Sequence, residues 1–242
     1  MRAITIAVDY EDLLSIVLSY NRHHFEEWWV VTVPDDPCLN LCADYDNVKV
    51  CRTTAFEIEK GLFRKWAALE EGLDAMGREG WIVVMDADVL WPSHLPSDWN
   101  PVQGYLYTPY RRILPYWPET PIPSEREWLN LDRHWQESEW AGYTQVFHAD
   151  DPVLQNVRPW YDPSWIHCGG GDSFFQALWP RPKKIRPTWE VLHLGPHGAN
   201  WFGRVSTKGD GTKPPEAAER ARKLSEAFRI RRARGNFDRE RR

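Results

Sequence analysis

Trp81–Ile82–Val83–Val84–Met85–Asp86–Ala87–Asp88–Val89–Leu90–Trp91–Pro92 is an apolar run cut off by two carboxylates. The segment Trp81–Met85 is rich in β-branched residues and too short for a helix, so it reads as a strand buried on both faces. Just upstream, Leu62, Trp66, Leu69, Leu73 and Met76 recur at helical spacing, and Gly77 and Gly80 close that helix. Working back toward the start, Ala3–Val8 reads as a strand, with Leu13, Val17 and Tyr20 on a helix after it. Trp29–Val33 is a second strand, ending at Pro34–Asp35–Asp36, and Val48–Cys51 is a third. This alternation predicts an α/β domain with a mixed, mainly parallel, Rossmann-like sheet flanked by helices. Downstream, Trp91 to Trp140 is proline-rich and irregular, with Tyr105–Tyr110 its one clear strand. A strand over Gly142–His148, a helix over Ser173–Leu178 and a last strand over Glu190–Leu194 complete the pattern.

In parallel sheets of this kind, ligands bind beyond the carboxyl ends of the strands. Asp9, the Asp35–Asp36 pair and the Asp86–Asp88 pair each follow a strand, so one rim is expected to collect them. Two carboxylates at one turn suit magnesium or manganese, and His193, at the end of the last strand, offers a third ligand suited to manganese. A lone D-x-D also occurs as a solvated strand end, and a lone histidine is most often structural. Gly169–Gly170–Gly171 precedes Asp172, where glycines permit close backbone approach to a ligand. Asp172 can cap the following helix, or act as a general base toward an acceptor hydroxyl.

The chain has 242 residues, 42% hydrophobic and 27% charged, which is ample for a packed core and argues against wholesale disorder. No apolar run is long enough to span a bilayer, and acidic residues at Asp9, Glu11 and Asp12 break any secretory signal, so a cytoplasmic protein is expected. Cys38, Cys42, Cys51 and Cys168 lack paired C-x-x-C spacing, which fits small buried thiols in a reducing compartment. The net charge of -5 is unevenly shared: Glu219 to Arg242 carries ten Lys/Arg against four Asp/Glu, or +6, leaving -11 on the first 218 residues. Residues 206–215 read as a linker and 216–242 as a basic amphipathic tail helix, suited to a polyanion or to docking on the acidic body. Tryptophan is in excess, with 15 in the chain and eleven from Trp91 to Trp201.

Taken together, Phe63–Arg64–Lys65–Trp66–Ala67–Ala68, the D-A-D motif, G-G-G-D and His193–Leu194–Gly195–Pro196–His197–Gly198–Ala199–Asn200–Trp201–Phe202–Gly203–Arg204 resemble nucleotide-sugar glycosyltransferases of the GT-A fold. The likeness is to small bacterial and phage members and covers about residues 3 to 204, in the family's motif order. It implies a domain over 1–205, with a donor half of about 1–92 and an acceptor half of about 93–205. It also implies that Asp86 and Asp88 hold a divalent metal on the donor diphosphate and that His193 completes the site. Val8, Asp9 and Tyr10 would meet base and ribose, Asp35, Lys65, Gly195, Asn200, Trp201 and Arg204 would line the donor, and Asp172 would be the base. A UDP-sugar is the expected donor. Retaining relatives place a lysine between that histidine and tryptophan. Ala199 and Asn200 stand there instead, leaving Arg204 or Lys208 to neutralise the leaving group, and inversion is expected.

The acceptor side is read from its aromatics. Tyr107, Tyr110, Trp117, Trp128 and Trp135 suit stacking on a sugar or a base, while Arg111, Arg112 and the basic tail suit a phosphate backbone. Hydroxymethylated pyrimidine in DNA is the favoured acceptor, and a glycan or small molecule the alternative. Two other classes remain: a nucleotidyltransferase, although no Gly-rich triphosphate loop follows the first strand, and a noncatalytic carbohydrate- or nucleic-acid-binding protein.

Overall fold

The computed structural model describes residues 1–56, 64–116, 122–133, 142–165 and 170–195. The linker and tail, Leu62, Trp117, Trp135, Cys168, Asn200, Trp201 and Arg204 lie outside the described residues.

The first half follows the alternation in the sequence. Strand β1 (Arg2–Ile6) leads to helix α1 (Glu11–Asn21), β2 (Glu27–Thr32) to α2 (Cys38–Ala43), β3 (Val48–Arg52) to α3 (Lys65–Met76), and β4 (Trp81–Met85) follows. The second half contributes β5 (Val89–Leu90), β6 (Leu106–Tyr107), β7 (Tyr110–Ile113), α4 (Glu125–Trp128), β8 (Thr144–His148), α5 (Gly171–Gln176), β9 (Lys184–Ile185) and β10 (Glu190–His193). The main sheet has seven strands in the order β3-β2-β1-β4-β8-β6-β9. Its β3-β2-β1-β4 portion is wholly parallel, whereas β8 runs antiparallel to both β4 and β6. The chain is thus a mixed, mainly parallel α/β fold flanked by helices, with strands of the later half completing the sheet begun by the first.

Alternation along each strand divides the core into two faces. Ala3, Val30 and Val83 face α1 and α2, while Ile4, Val31, Ile82 and Val84 face α3 and α5. Cys38 and Cys42 are buried on α2, where burial pushes both thiols up, Cys42 to about 11, as expected of packing cysteines.

Three local expectations are corrected. The run Tyr105–Tyr110 is not one strand: β6 joins the main sheet, and β7 belongs to a second sheet with order β5-β10-β7. The helix expected over Ser173–Leu178 begins earlier, at Gly171, because Gly170 adopts φ +97 and turns the chain into it. Among the described residues, the tryptophans are core rather than stacking surface. Of the described tryptophans, Trp28, Trp66, Trp91, Trp128, Trp160, Trp179 and Trp189 are buried, and Trp29, Trp81, Trp99 and Trp165 are partly so. Trp66 stacks on Tyr161 with centroids 5.3 Å apart, and Tyr161 stacks on Phe175 at 4.2 Å. Trp91 packs against Trp189 at 4.7 Å on the opposite face. Such pairs add about 0.5–1.5 kcal/mol each beyond the area they bury.

Helix α3 lies close to the sheet because Gly72 faces it. A Cβ at Gly72 would stand 2.3 Å from Val31 Cγ2 and 2.8 Å from Ile4 Cδ1. Gly72→Ala is therefore expected to destabilise the fold by about 1–3 kcal/mol through overpacking, despite alanine's higher helix propensity. Thermal unfolding checks this: a melting temperature at or above that of the parent would contradict it.

Candidate functional site

The parallel strands β2, β1 and β4 all end on one rim, and the acidic residues that follow them gather there as the sequence implies. They do not do the same work. After β1, Asp9 is exposed with φ 60, whereas Tyr10 turns inward and is 7% exposed, inside the core on the α1 face. Tyr10 therefore has no free ring to offer a base, contrary to expectation, and Val8 and Asp9 are the accessible members of that loop. After β2, Asp35 is exposed and Asp36 buried. The Asp36 carboxylate accepts from the Asp9 N–H at 2.8 Å and the Cys38 N–H at 2.8 Å, so it ties the two loops together.

After β4, Asp86 and Asp88 diverge. The backbone N–H of Asp86 continues the sheet by donating to Tyr143 O at 3.0 Å. Its carboxylate forms an ion pair with Lys65, the first residue of α3, which is itself buried over the Trp66 ring. Asp88 is 3% exposed and faces His193, with Oδ1 3.7 Å from Nε2. This meeting follows from backbone pairing: β5 runs antiparallel to β10 with His193 opposite Val89, and the Leu194 N–H donates to Asp88 O at 2.7 Å. Burial lowers the His193 pKa below the ordinary imidazole value, against the opposing pull of Asp88, so the ring is neutral at pH 7. Gly195, φ +89, turns the chain out of this strand.

Asp172 opens α5. Its Oδ2 accepts from the Gly142 N–H at 2.8 Å, and its Oδ1 from the N–H groups of Ser173 at 2.8 Å and Gly170 at 3.1 Å. Burial raises its pKa, countered by the Gly142 hydrogen bond and the charge of Lys65 and reinforced by nearby Asp86. Asp172, Asp86 and Lys65 thus form one charge cluster. Of the Gly169–Gly170–Gly171 run, Gly169 lies outside the described residues, and the other two are not the openings for a ligand that the sequence suggested. A Cβ on Gly171 would stand 2.4 Å from Trp66, one on Gly170 2.5 Å from Trp165, and one on Gly142 2.6 Å from Asp172 Cβ. Gly142, Gly170 and Gly171 have no room for a side chain because aromatic rings and Asp172 press against them.

Among the described residues, no group of three His, Cys, Asp or Glu is assembled around a point where a cation would sit. The expected trio is split into Asp88 with His193 and Asp86 with Lys65. The first pair fits a divalent ion. Two donors at about 2.1 Å from a metal lie between about 3 Å and about 4 Å apart, depending on the angle. Their separation of 3.7 Å falls in that interval, and an imidazole beside a carboxylate favours manganese over magnesium.

One residue that sequence reading missed holds the turn in place. Asn21, at the end of α1 and fully buried, donates to Val89 O at 2.8 Å and accepts from the Trp91 N–H at 2.9 Å. It thereby fixes the two-residue β5 from the side opposite β10. An asparagine continuing the apolar stripe of Leu14, Val17 and Leu18 on α1 was its one signal in the sequence.

No family model and no curated protein matches the chain. Solved structures similar to it include the inositol-1-phosphate CTP transferase from T. maritima, at 10% identity over 81% of this chain and 89% of that one, TM-score 0.47. A 4-diphosphocytidyl-2C-methyl-D-erythritol synthase matches at 17% identity over 92% and 96%, TM-score 0.41. Glucosyl-3-phosphoglycerate synthase from Mycobacterium tuberculosis, in complex with Mn2+, UDP-glucose and phosphoglyceric acid, matches at 20% identity over 46% and 43%, TM-score 0.31. At such scores these overlaps say nothing about chemistry. No described helix is long and apolar enough to cross a membrane.

Asn21→Leu would strand the buried Val89 carbonyl and Trp91 N–H, each costing about 1–3 kcal/mol. A melting temperature lowered by several degrees is expected. An unchanged value would mean that β5 is held by β10 alone.

Proposed function

We propose that the protein is a metal-dependent glycosyltransferase that moves a sugar from a nucleotide-sugar, a UDP-sugar in our reading, to an acceptor hydroxyl with inversion. The observation that carries this is the gathering, on the carboxyl rim of the sheet, of the Asp88–His193 pair and the Lys65–Asp86–Asp172 cluster. A divalent cation held by Asp88 and His193 would supply Lewis-acid charge to a leaving diphosphate. Asp86, fixed by Lys65, faces the same ligand, and Val8, Asp9, Asp35 and Gly195 border it. Asn200, Trp201 and Arg204 remain donor contacts in this proposal.

Asp172 serves as the base. Three backbone N–H groups fix its carboxylate while leaving acceptor capacity, and burial makes it a stronger proton acceptor than a solvated carboxylate. This feature favours transfer to a hydroxyl over nucleotidyl transfer to a phosphate. Nucleotidyl transfer onto an already ionised phosphate would need no base, whereas an acceptor hydroxyl must lose a proton.

For the acceptor we favour a hydroxyl-bearing small molecule or glycan. The case for hydroxymethylated DNA leaned on an aromatic surface, and Tyr107 and Trp128 are 7% and 4% exposed.

Incubation with manganese and a panel of sugar-nucleotides separates the classes. Release of nucleoside diphosphate with a glycosylated product is the expected result, while pyrophosphate release from a nucleoside triphosphate would indicate nucleotidyl transfer. Asp88→Ala is expected to abolish manganese-dependent donor binding. Asp172→Asn should lower turnover by about 10²–10⁴-fold with donor affinity retained. Near-normal turnover in a folded Asp172→Asn protein would remove the base assignment.

A further inference from the structure

The consecutive arginines of β7 have opposite fates. Strand β7 pairs in parallel with β10, with Arg112 opposite Leu192 and Arg111 opposite Val191. Paired residues share a face, and faces alternate along a strand, so Arg112 lies on the side of Glu190 and Arg111 on the side of His193. On its side, Arg112 forms an ion pair with Glu190 and donates from Nη1 to Leu131 O at 2.8 Å. Arg133 joins the same carboxylate. That face is internally neutralised.

Arg111 has no such partner. Its guanidinium lies over the Tyr143 ring, 4.5 Å from the centroid, and its Nε is buried without an acceptor among the described residues. No carboxylate among the described residues forms a salt bridge with it, and its charge reaches His193. Tyr143 also anchors this side to the rim, because its carbonyl accepts from the Asp86 N–H. A guanidinium offers five donors in a planar fork suited to phosphate oxygens. Leaving a partly buried one without an anion is unfavourable unless a ligand supplies the charge. The rim's acidic residues cannot bind a diphosphate by themselves, since like charges repel.

We propose that Arg111 is an anion-binding residue of the site, taking a phosphate oxygen of the substrate beside the Asp88–His193 pair. This rests on the reading of that rim as a phosphate-handling site, but not on which nucleotide or sugar is carried. It places the compensating charge for a departing diphosphate on the described β7 strand rather than on Arg204 or Lys208. Arg112, one residue away, makes no contact with the ligand.

The test uses inorganic pyrophosphate and a nucleoside diphosphate panel, each with manganese, titrated calorimetrically into the full chain. For the parent, Arg111→Met, Arg111→Lys and Arg112→Met, the melting temperature is recorded alongside. Arg111→Met is expected to weaken pyrophosphate binding at least tenfold with little change in melting temperature, and Arg111→Lys to weaken it less. Arg112→Met should do the reverse, lowering the melting temperature and sparing affinity. Pyrophosphate affinity unchanged in Arg111→Met, or no pyrophosphate binding by the parent, overturns the proposal. If pyrophosphate binds through Arg111 but no nucleotide binds more tightly than pyrophosphate, Arg111 stands and the nucleotide-sugar reading falls.

Discussion

The antiparallel contact between β5 and β10 is the constraint on which the site depends. β5 has only two residues, yet it carries the chain away from Asp88, and its register with β10 sets His193 beside that carboxylate. So short a strand cannot hold itself, since few hydrogen bonds offset the entropy of ordering it. It is held from both sides, by β10 through the ladder and by Asn21 through its side-chain amide. The second small sheet therefore does something the main sheet cannot. It brings a residue from near the end of the described chain to the rim formed by its first strands.

Charge compensation shapes the same rim. Carboxylates concentrated on one rim repel one another, and several are met by specific partners. Asp36 takes backbone N–H groups, Asp86 takes Lys65 and Asp172 takes three N–H groups, while Asp88 faces the neutral ring of His193. These partners leave a cluster that is ordered before any ligand arrives. Preorganised groups of this kind stabilise developing charge with little reorganisation during reaction.

Tryptophan plays a structural part throughout the described residues. The side chain of Trp66 shows why: it supports Lys65 from below, stacks on Tyr161 and lies against the backbone of Gly171. A large rigid ring joins α3 to α5 there, and so joins the Lys65–Asp86 pair to Asp172. The aromatic excess thus bears on function through packing, by fixing the distance between charged groups carried on separate elements.

The parallel strands, helices α1 and α3 and the rim location of Asp9, Asp36, Asp86 and Asp88 were legible in the sequence, because hydrophobic periodicity and strand-ending carboxylates are local properties, whereas α2 was not read there. Strand pairing across distant segments is not local. Hence the antiparallel β8, the division of Tyr105–Tyr110 between two sheets and the role of Asn21 emerged only in three dimensions. Composition likewise cannot say which way an aromatic ring faces, so Tyr10, Tyr107 and Trp128 read as ligand surface until packing placed them inside. Nor can adjacent arginines be told apart in a sequence. The sequence alone determined which residues could bear charge at the rim. Tertiary structure decided how those charges pair, because the partners arrive from elements whose register is set by long-range backbone hydrogen bonds and by the shapes of the side chains packed between them.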